Sequence, residues 1–420
     1  MTATSQILFI ENSTGLGGST LSLCTLLAHI DRAAYEPTVV FSKKVQEEYC
    51  KSCGDASVKT VTISCGPSLK YRPLGVFTLQ AARAVSRRLE RLTYTLLSLL
   101  DLPFVIAPYV LRLYLFARRQ PVSLIHHNNG VDVGAIVLGM TLRVPILAYQ
   151  RGAEWKSGLI RFFARFVTRY IANSEATKRE LLALGVHSSQ IDVVYPPVDF
   201  TRFDYRRRGH LNRYEFGLPE TAACFASIAT LQRLKGHDVF LKAAQLVIAE
   251  IPEARAVIVG GPVAGSEAHV EELAALATSL GIRDRVIFTG FRNDIPDVLQ
   301  LLDVVVLGSL TTEGFGRVIA EAMAMKKNVV ATRTGGPTEI IEDQHTGLLI
   351  PINDHEAMAT AIIRLFRDKR FASELAEQAY VRAYERYSAP FHARRLQDVY
   401  DRMLAARLEL TPHPQQGALR

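Results

Sequence analysis

The most constraining feature of this chain is a repeated alternation between short apolar runs and longer segments with apolar residues at helical spacing. Runs such as 37–42 (PTVVFS) and 303–309 (DVVVLGS) are apolar almost throughout, which is typical of strands buried on both faces. Because helical segments separate consecutive strands, we expect parallel strands that are covered by helices. The sequence therefore predicts an α/β protein.

The predicted strands fall into two groups on either side of a basic, polar stretch at 201–214. The strands are 7–12, 37–42, 57–64, 123–128, 145–151 and 170–174 in the first group, and 222–229, 255–260, 285–290, 303–309 and 328–332 in the second. The helices of the second half are 236–251, 266–280, 294–302, 314–326 and 373–408. These strands are too many for one compact sheet, so we predict two Rossmann-like doubly wound domains that face a cleft. The domains are 1–205 and 214–390, followed by a helix at 391–408 that can cross back to the first domain and by a tail at 409–420.

The composition narrows the class of partner. The formal net charge is +8 and the isoelectric point is near 9.2, which favours anionic partners such as nucleotides, phosphorylated lipids or acidic membrane surfaces. We find no nucleic-acid recognition motif, so nucleic acid is not an expected partner.

The C-x-x-C at Cys50 and Cys53 has no second thiol or histidine pair at zinc spacing, so no metal site is expected. The N-terminus lacks a basic n-region, and we expect a cytoplasmic protein.

Residues 70–119 combine apolar sequence with positive charge. The stretch 92–116 is apolar enough to suggest a membrane, but it is interrupted by Asp101, Pro103, Pro108 and Arg112. Nine basic and two acidic residues lie in 70–119. Three arrangements are open, namely an interfacial hairpin, a buried helical pair and a true membrane span. We expect peripheral attachment to the inner face of the cell membrane, with partial insertion of the region containing Phe104, Tyr109, Leu111 and Leu115.

A glycine-rich loop, Gly15-Leu16-Gly17-Gly18-Ser19-Thr20, follows the first predicted strand and opens a helix. Glycines at such a position let backbone N–H groups approach a phosphate at the positive end of the helix. The loop differs from the dinucleotide-binding pattern G-x-G-x-x-G because its sixth residue is Thr20, and no carboxylate ends the second strand. Gly17 and Gly18 are therefore candidate donor contacts, and a plain tight turn is the alternative.

A second candidate site, Glu313-Gly314-Phe315-Gly316-Arg317-Val318-Ile319-Ala320-Glu321, follows the buried strand 303–309 and opens a helix. Gly314 and Gly316 leave room for a diphosphate beside backbone amides. Glu321 is slightly more than two helical turns from Glu313, so it lies on nearly the face that Glu313 approaches from the loop. The two carboxylates can accept hydrogen bonds from sugar and ribose hydroxyls. The alternative is an ordinary helix with one acid near its N-terminus and another on a solvated face.

This run resembles the donor motif of the family-4 retaining glycosyltransferases, a Glu-Gly-Phe-Gly whose first Glu is followed by a second Glu after seven intervening residues. Other motifs of that family are resembled by Asn173-Ser174-Glu175, Tyr195-Pro196-Pro197-Val198-Asp199, Leu234-Lys235-Gly236-His237-Asp238, Thr289-Gly290-Phe291 and Gly335-Gly336-Pro337-Thr338-Glu339. The resemblance covers about 7–400 and is strongest over 225–350. It implies a GT-B fold and transfer of a sugar from a UDP- or GDP-sugar, with retained anomeric configuration and without a cofactor or required metal.

The resemblance also implies roles for individual residues. In the family a lysine and an arginine neutralise the leaving diphosphate, the first Glu contacts the sugar and the second holds the ribose; Lys235, Glu313 and Glu321 occupy three of these positions. The other implied donor contacts are Gly290, Phe291, Gly314, Phe315 and Gly316. Thr230 stands where the arginine is usual, so nearby Arg233 is the candidate substitute.

A second departure from the family lies in the first half of the chain. Tyr149-Gln150-Arg151-Gly152 stands where the family often has Thr-Phe-His, so no histidine role can be transferred. Arg151 is a candidate cation for the diphosphate or for an anionic acceptor. His126 and His127 end the fourth strand and are either site residues or structural ones.

We therefore predict a glycosyltransferase that binds its donor mostly through 214–390 and its acceptor through 1–200. The expected acceptor is a glycan or a lipid-linked precursor of an envelope polysaccharide. Two alternatives are open. A GT-B-type sugar-nucleotide epimerase would act on the donor alone, and a non-catalytic nucleotide-sugar-binding or membrane-binding protein would not turn it over.

Overall fold

The computed structural model describes residues 4–13, 17–42, 45–47, 49, 58–66, 69, 72–152, 158–263 and 266–410. Gly15 and the two thiols of the C-x-x-C lie outside these residues, as does the predicted tail from residue 411 onward. The chain forms two compact units. The first comprises residues up to 173, 177–194 and those from 393 onward, and the second comprises 174–176 and 195–392.

Within its described residues, the first unit contains a seven-stranded parallel sheet in the order β3-β2-β1-β4-β5-β6-β7. The strands are β1 (Ser5–Glu11), β2 (Tyr35–Phe41), β3 (Lys59–Thr62), β4 (Val122–His127), β5 (Ile146–Gln150), β6 (Arg169–Ala172) and β7 (Ile191–Val193). The helices are α1 (Gly18–His29), α2 (Pro73–Val85), α3 (Arg87–Asp101), α4 (Ala107–Ala117), α5 (Val133–Leu142), α6 (Gly158–Ala164) and α7 (Glu175–Ala183). Ile7 and Phe9 of β1 pack into the core on one face and Leu8 and Ile10 into that on the other, which explains the apolar sequence of the strand.

The second unit has a six-stranded parallel sheet in the order β10-β9-β8-β11-β12-β13 within the part of the chain that the structure describes. The strands are β8 (Cys224–Ile228), β9 (Arg255–Val259), β10 (Val286–Gly290), β11 (Val304–Leu307), β12 (Asn328–Thr332) and β13 (Leu348–Ile350). The helices are α8 (His237–Glu250), α9 (Glu267–Ser279), α10 (Ile295–Gln300), α11 (Arg317–Ala324), α12 (Pro337–Ile340), α13 (His355–Arg367) and α14 (Lys369–Tyr387), followed by α15 (Ala389–Leu410), which belongs to this unit only as far as His392. Each sheet has buried side chains on both faces.

Both sheets reverse their strand order at one point. In the first sheet this point lies between β1 and β4, and in the second it lies between β8 and β11. The loops that leave the carboxyl ends of two such strands run to opposite faces of the sheet, so a crevice opens between them. The fold therefore provides each unit with one position where ligands of α/β proteins usually bind.

The described part of the segment 70–119 is mostly helical. Helices α3 and α4 are joined by a π-helical turn, Leu102–Ile106, which begins just before Pro103. The inward face of α4 supplies Tyr109, Leu113 and Ala117 to the core against the sheet. The expectation that Tyr109 inserts into a membrane is therefore wrong, because its ring is buried beside Gly134 of α5.

The end of the chain differs from the prediction of one helical stretch at 373–408. Helix α14 ends at Tyr387 and α15 begins at Ala389, because Ser388 has an extended backbone and bridges to Val198. Phe203 also packs into the core of the second unit, so residues 195–205 belong to that unit and not to the first, where the sequence placed them. Residues of α15 from Ala393 onward belong to the first unit.

Candidate active site

An ion pair stands at the switch point of the second unit. Lys235 lies in the loop after β8 and Glu313 in the loop after β11, and Nζ of the lysine is 2.6 Å from Oε2 of the glutamate. Both side chains are largely shielded from solvent. The structure therefore brings together two of the predicted catalytic residues, which lie in the loops that follow the two strands flanking the crevice.

A close approach between two loop backbones holds this pair in place. Gly236 has a φ of +66°, and a Cβ on it would stand 2.1 Å from the carbonyl oxygen of Gly308. The N–H of Leu310 donates to the carbonyl of Leu234 at 2.8 Å. Only glycine tolerates both the positive φ and the close contact at position 236. The glycine after Lys235 therefore allows the two loops to pack together.

Glu313 is held from two further directions. Oγ of Ser309 donates to its carboxylate at 2.8 Å, and the N–H of Gly336 donates to its backbone carbonyl at 2.8 Å. Gly335, with a φ of +51°, passes so close that a Cβ would stand 2.2 Å from the same carbonyl. The Gly-Gly-Pro turn after β12 therefore supports the loop that carries Glu313.

Helix α11 begins beside this pair. Gly316, with a φ of +91°, stands at its N-cap position and provides no side-chain cap. Glu321 on the second turn accepts from Nη2 of Arg317 at 2.7 Å, and both side chains are mostly shielded from solvent. Arg317 was missed as a site residue, although its position four residues before Glu321 was a sequence signal for such a pair.

Two predicted donor contacts differ in what they can offer a ligand. The ring of Phe315 is buried, with its centroid 5.8 Å from that of Tyr195 and 5.4 Å from that of Tyr387. Its side chain therefore belongs to the core, and only its backbone can face a donor. Phe291, in contrast, is 70% exposed and follows Gly290, whose φ is +69°. An exposed ring at the carboxyl end of β10 can stack against a base.

The loop after β9 was also missed by the sequence analysis. The N–H of Gly260 donates to the carbonyl of Gly290 at 3.0 Å, and a Cβ on Gly261 would stand 3.2 Å from Cβ of Phe291. Gly260, with a φ of +152°, also passes the carbonyl of Ala229 so closely that a Cβ would stand 1.9 Å from it. The Gly-Gly-Pro sequence directly after a strand was the available signal.

Arg233 does not join the ion pair of the crevice. Its guanidinium binds Glu272 of α9 at 2.6 Å, and the arginine side chain is exposed. Glu272 also accepts from the ring of His269. Glu272 accepts from Nη2 of the guanidinium, so the other N–H donors of Arg233 can still bind a diphosphate.

His237 opens α8 directly behind Lys235 and is fully buried. Its ring lies 3.1 Å from Oγ of Ser227 and 3.2 Å from the carbonyl oxygen of Thr230. Burial lowers the pKa of His237 to about 4, with the nearby His269 and Lys235 acting in the same direction. The imidazole is therefore neutral at pH 7 and adds no charge beside Lys235.

A polar cluster occupies the switch point of the first unit. Glu11, at the end of β1, is fully buried and accepts from the Asn128 amide and from the N–H of Ser13 at 2.9 Å. Arg151 donates to Oδ1 of Asn128 at 3.3 Å, and its guanidinium lies 4.4 Å from the ring centroid of Tyr149. The guanidinium is partly exposed, so the cluster fixes a cation at the carboxyl edge of the sheet.

The other candidates of the first unit have simpler surroundings. His126 is buried and hydrogen-bonded to the hydroxyl of Tyr400 at 2.6 Å, and His127 binds the carbonyl of Gly130 at 3.0 Å, which favours the structural interpretation of both. Gly17 is the N-cap of α1 and Gly18 its first residue. A Cβ on Gly17 would meet no described atom within 4 Å, so local packing does not explain that glycine.

Two family models match consecutive parts of the chain. The model described as Glycosyltransferase Family 4 matches residues 16–202, and the model described as Glycosyl transferases group 1 matches residues 211–382. A D-inositol 3-phosphate glycosyltransferase of Corynebacterium kroppenstedtii is 35% identical over 240 residues, which cover 56% of this chain and 53% of the relative. The chain thus matches about half the length of its curated relatives.

Solved structures resemble the chain over almost its whole length. The HepE protein of Anabaena in complex with UDP is 22% identical, with a TM-score of 0.74 and coverage of 94% of this chain and 100% of that one. The same protein was also solved with UDP-glucose. WaaG, a glycosyltransferase involved in lipopolysaccharide biosynthesis, is 14% identical with a TM-score of 0.66, covering 94% of this chain and 99% of the other. The predicted GT-B fold is confirmed.

Proposed function

Because the chain belongs to the family-4 glycosyltransferases of the GT-B fold, we propose that it moves a hexose from a nucleotide sugar to an acceptor hydroxyl with retention of anomeric configuration. The donor binds at the switch point of the second unit and is a UDP-sugar. The base assignment is supported by HepE, which was solved with UDP and with UDP-glucose. Lys235 and Glu313 act at the reacting end of the donor and Glu321 at its ribose.

The observation that carries this proposal is the ion pair of Lys235 and Glu313 at the crevice. A leaving nucleoside diphosphate develops negative charge, which a preorganised ammonium and the N-terminus of α11 can stabilise. Glu313 orients the ammonium before the donor arrives and offers a carboxylate to sugar hydroxyls. Among the described residues no cluster of His, Cys, Asp and Glu suited to a metal was found, and the proposed mechanism uses none.

We further propose that the acceptor is anionic and lipid-linked, such as a precursor of an envelope glycan, and that the protein is peripheral on the inner face of the membrane. Arg151 would hold the anionic group of the acceptor, with Asn128 and the Tyr149 ring fixing its guanidinium. The name of the inositol-phosphate relatives supports an anionic acceptor, and the description of WaaG supports an envelope glycan.

A nucleotide-sugar panel tests the donor. We expect isothermal titration with UDP-, GDP- and ADP-glucose to give the highest affinity for the UDP-sugar. Incubation of the protein with the bound sugar nucleotide alone separates the alternatives. An epimerase interconverts the sugar, a transferase releases it slowly by hydrolysis, and a non-catalytic binding protein leaves it intact.

The stereochemistry can be tested before the acceptor is known. Proton NMR during slow hydrolysis of an α-linked donor should show the α-anomer of the free sugar first, ahead of mutarotation. Initial release of the β-anomer would contradict retention while leaving donor binding supported.

A further inference from the structure

Helix α3 of the first unit has its apolar face turned outward. Three leucines at helical spacing, Leu92, Leu96 and Leu99, are 68%, 58% and 50% exposed, and we call them the leucine row. The polar residues Ser98 and Asp101 of the same helix are buried instead, and Asp101 accepts from the N–H of Leu69 at 2.7 Å. A surface helix of a water-soluble domain normally has the opposite arrangement.

The elements before and after α3 in the chain also expose apolar side chains. Exposed large side chains on α2, on the π-helical turn and on α4 are Leu74, Phe77, Val85, Phe104, Leu111 and Leu115. Single exposed apolar side chains need no explanation, but a concentration in one sequence segment marks an interaction surface. We therefore expect another molecule to cover the leucine row.

The charges of the segment 70–119 restrict which kind of molecule can cover the leucine row. Along the chain the row is preceded and followed by exposed arginines, at positions 72, 83, 87, 88, 112, 118 and 119. The two acidic residues of the segment, Glu90 and Asp101, are partly and fully buried. The surface is therefore apolar with a positive border, which complements an anionic bilayer. A second copy of the chain would bring the same positive borders together, which is unfavourable.

The helix is anchored too firmly to cross a bilayer. By length and composition, residues 87–117 are the one helix among those described that could span a membrane. However, α3 alone has 15 residues, or about 22 Å, against roughly 30 Å for the hydrocarbon core. Spanning would also need α4, whose Tyr109 and Leu113 are buried against the sheet. The segment can therefore insert one face but not pass through.

We propose that the leucine row and its arginine border dock the protein on the surface of an anionic bilayer by shallow insertion of α3. This inference deepens the proposed function and rests on it for the lipid-linked acceptor.

Flotation of the full-length protein tests this proposal. The vesicles contain phosphatidylcholine with phosphatidylglycerol, or phosphatidylcholine alone. The charge variant is Arg87→Glu with Arg88→Glu, and glutamate suits these positions in the first turn of α3. Its matched control is Arg394→Glu with Arg395→Glu, an exposed adjacent pair on α15 with the same change in charge. The apolar variant replaces Leu92 and Leu96, the two most exposed leucines of the row, with Gln, a good helix former, and is matched by Leu182→Gln with Leu246→Gln.

We expect flotation with the anionic vesicles at low salt, with much of the protein released by high salt. The charge variant and the apolar variant should each lower the vesicle partition coefficient at least about tenfold, and both controls should retain it. Resistance to both salt and alkali extraction would show a span and overturn shallow docking. Absence of flotation at low salt would also overturn it, and self-association abolished by the leucine changes would identify a second copy as the occupant. Nucleotide binding by all variants is measured in parallel, so failure of docking is distinguished from failure of the donor site.

Discussion

The ammonium of Lys235 has three N–H donors, and Glu313 accepts from one of them. Two donors are therefore left for the oxygens of a diphosphate without breaking the ion pair. Because the pair is partly shielded from solvent, its charges are screened less than those of a surface pair. The arrangement suits a site in which a leaving group gains negative charge.

Replacing Lys235 with Ala should lower kcat/KM at least about a hundredfold, which is the usual cost of losing one preorganised donor to the transition state. Donor turnover measured at constant acceptor, or donor hydrolysis, checks this value. Lys242→Ala removes an exposed lysine from the neighbouring helix α8 and should have little effect. Equal activity of the Lys235 and Lys242 variants would remove Lys235 from the mechanism.

Two arginines, Arg233 and Arg151, are candidates for the second positive charge at the donor diphosphate. If Arg233 binds the diphosphate, Arg233→Ala should reduce kcat/KM for donor hydrolysis without acceptor by an amount comparable to Lys235→Ala. If Arg233→Ala leaves this hydrolysis unchanged and Arg151→Ala slows it severely, Arg151 supplies the charge to the diphosphate and does not act only on the acceptor. Steady-state kinetics of donor hydrolysis by both variants distinguishes the two cases.

The carboxylate of Glu321 is expected to bind the ribose. Glu321→Ala should weaken the affinity for free UDP by roughly 1.5–3 kcal/mol, the range for a lost hydrogen bond to a charged group. Isothermal titration measures the loss. The control is Glu374→Ala, which breaks another Arg–Glu pair at the same helical spacing but far along the chain on α14. Unchanged UDP affinity of a folded Glu321 variant would contradict the assignment.

At this scale the sequence proposed candidate residues but did not show their partners. Lys235 and Glu313 could be paired in advance only through their motifs, because 78 positions separate them. The partner of Arg233 could not be predicted, since the position of Glu272 depends on how α9 packs beside the loop after β8. The exposure of Phe291 and the burial of Phe315 are likewise properties of tertiary packing.

At the scale of elements, the site depends on loops that touch through glycine. The loop after β8 meets the loop after β11 at Gly236 and Gly308, and the turn after β12 meets it at Gly335. These contacts are between backbones. A side chain at Gly236 or Gly335 would therefore have to displace the loop that it meets. We therefore expect Lys235 and Glu313 to be held as firmly as the sheet edge that carries their loops.

The change Gly236→Ala tests this rigidity. A Cβ there combines left-handed backbone strain with a contact of 2.1 Å, so we expect a loss of more than about 3 kcal/mol in the free energy of unfolding, with loss of turnover. Gly281→Ala has a similar φ of +71° but no atom within 4 Å, and it should cost only about 1–2 kcal/mol. Urea denaturation of both variants measures the difference, and equal losses would mean that the loop contact adds nothing.

Elements were predictable where their apolar pattern was long enough. The strands β9 and β12 and the helices α8 and α9 lie within a residue or two of their predicted ends. The three-residue strands β7 and β13 were missed, because so short a run has no period. Helix α5 was missed for another reason, since VGAIVLGMTL is apolar on every side and shows no helical face.

At the scale of the whole molecule, stability should depend on pH through His237. Its pKa in the folded protein is about 4, below the ordinary value of 6.5, so the unfolded chain binds more protons between these values. Stability is therefore lost as the pH falls through this window. We expect His237 alone to remove about 2 kcal/mol between roughly pH 7.5 and pH 5. Urea denaturation of the protein and of His237→Asn at both pH values checks this, and an equally steep dependence in the variant would contradict it.

The two-unit organisation could be predicted from the number of strands, and a return of the last helix to the first unit was expected, but the residues of that helix that enter the core could not be predicted. The core of the first unit includes Leu396, Val399 and Tyr400 of α15, and the hydroxyl of Tyr400 is the hydrogen-bond partner of buried His126. These residues have no pattern that distinguishes one sheet from the other. Their destination is decided by shape complementarity, which a single sequence does not display.

The position of α15 has a consequence for synthesis on the ribosome. A chain emerges from its N-terminus, and domains usually fold in that order. Here Leu396 and Tyr400 are made after all of the second unit, so the first unit cannot close its core when its own sheet has emerged. The second unit, which is contiguous except for three residues, can finish first. We therefore expect the first unit, although it is synthesised first, to complete its core only after α15 has been made.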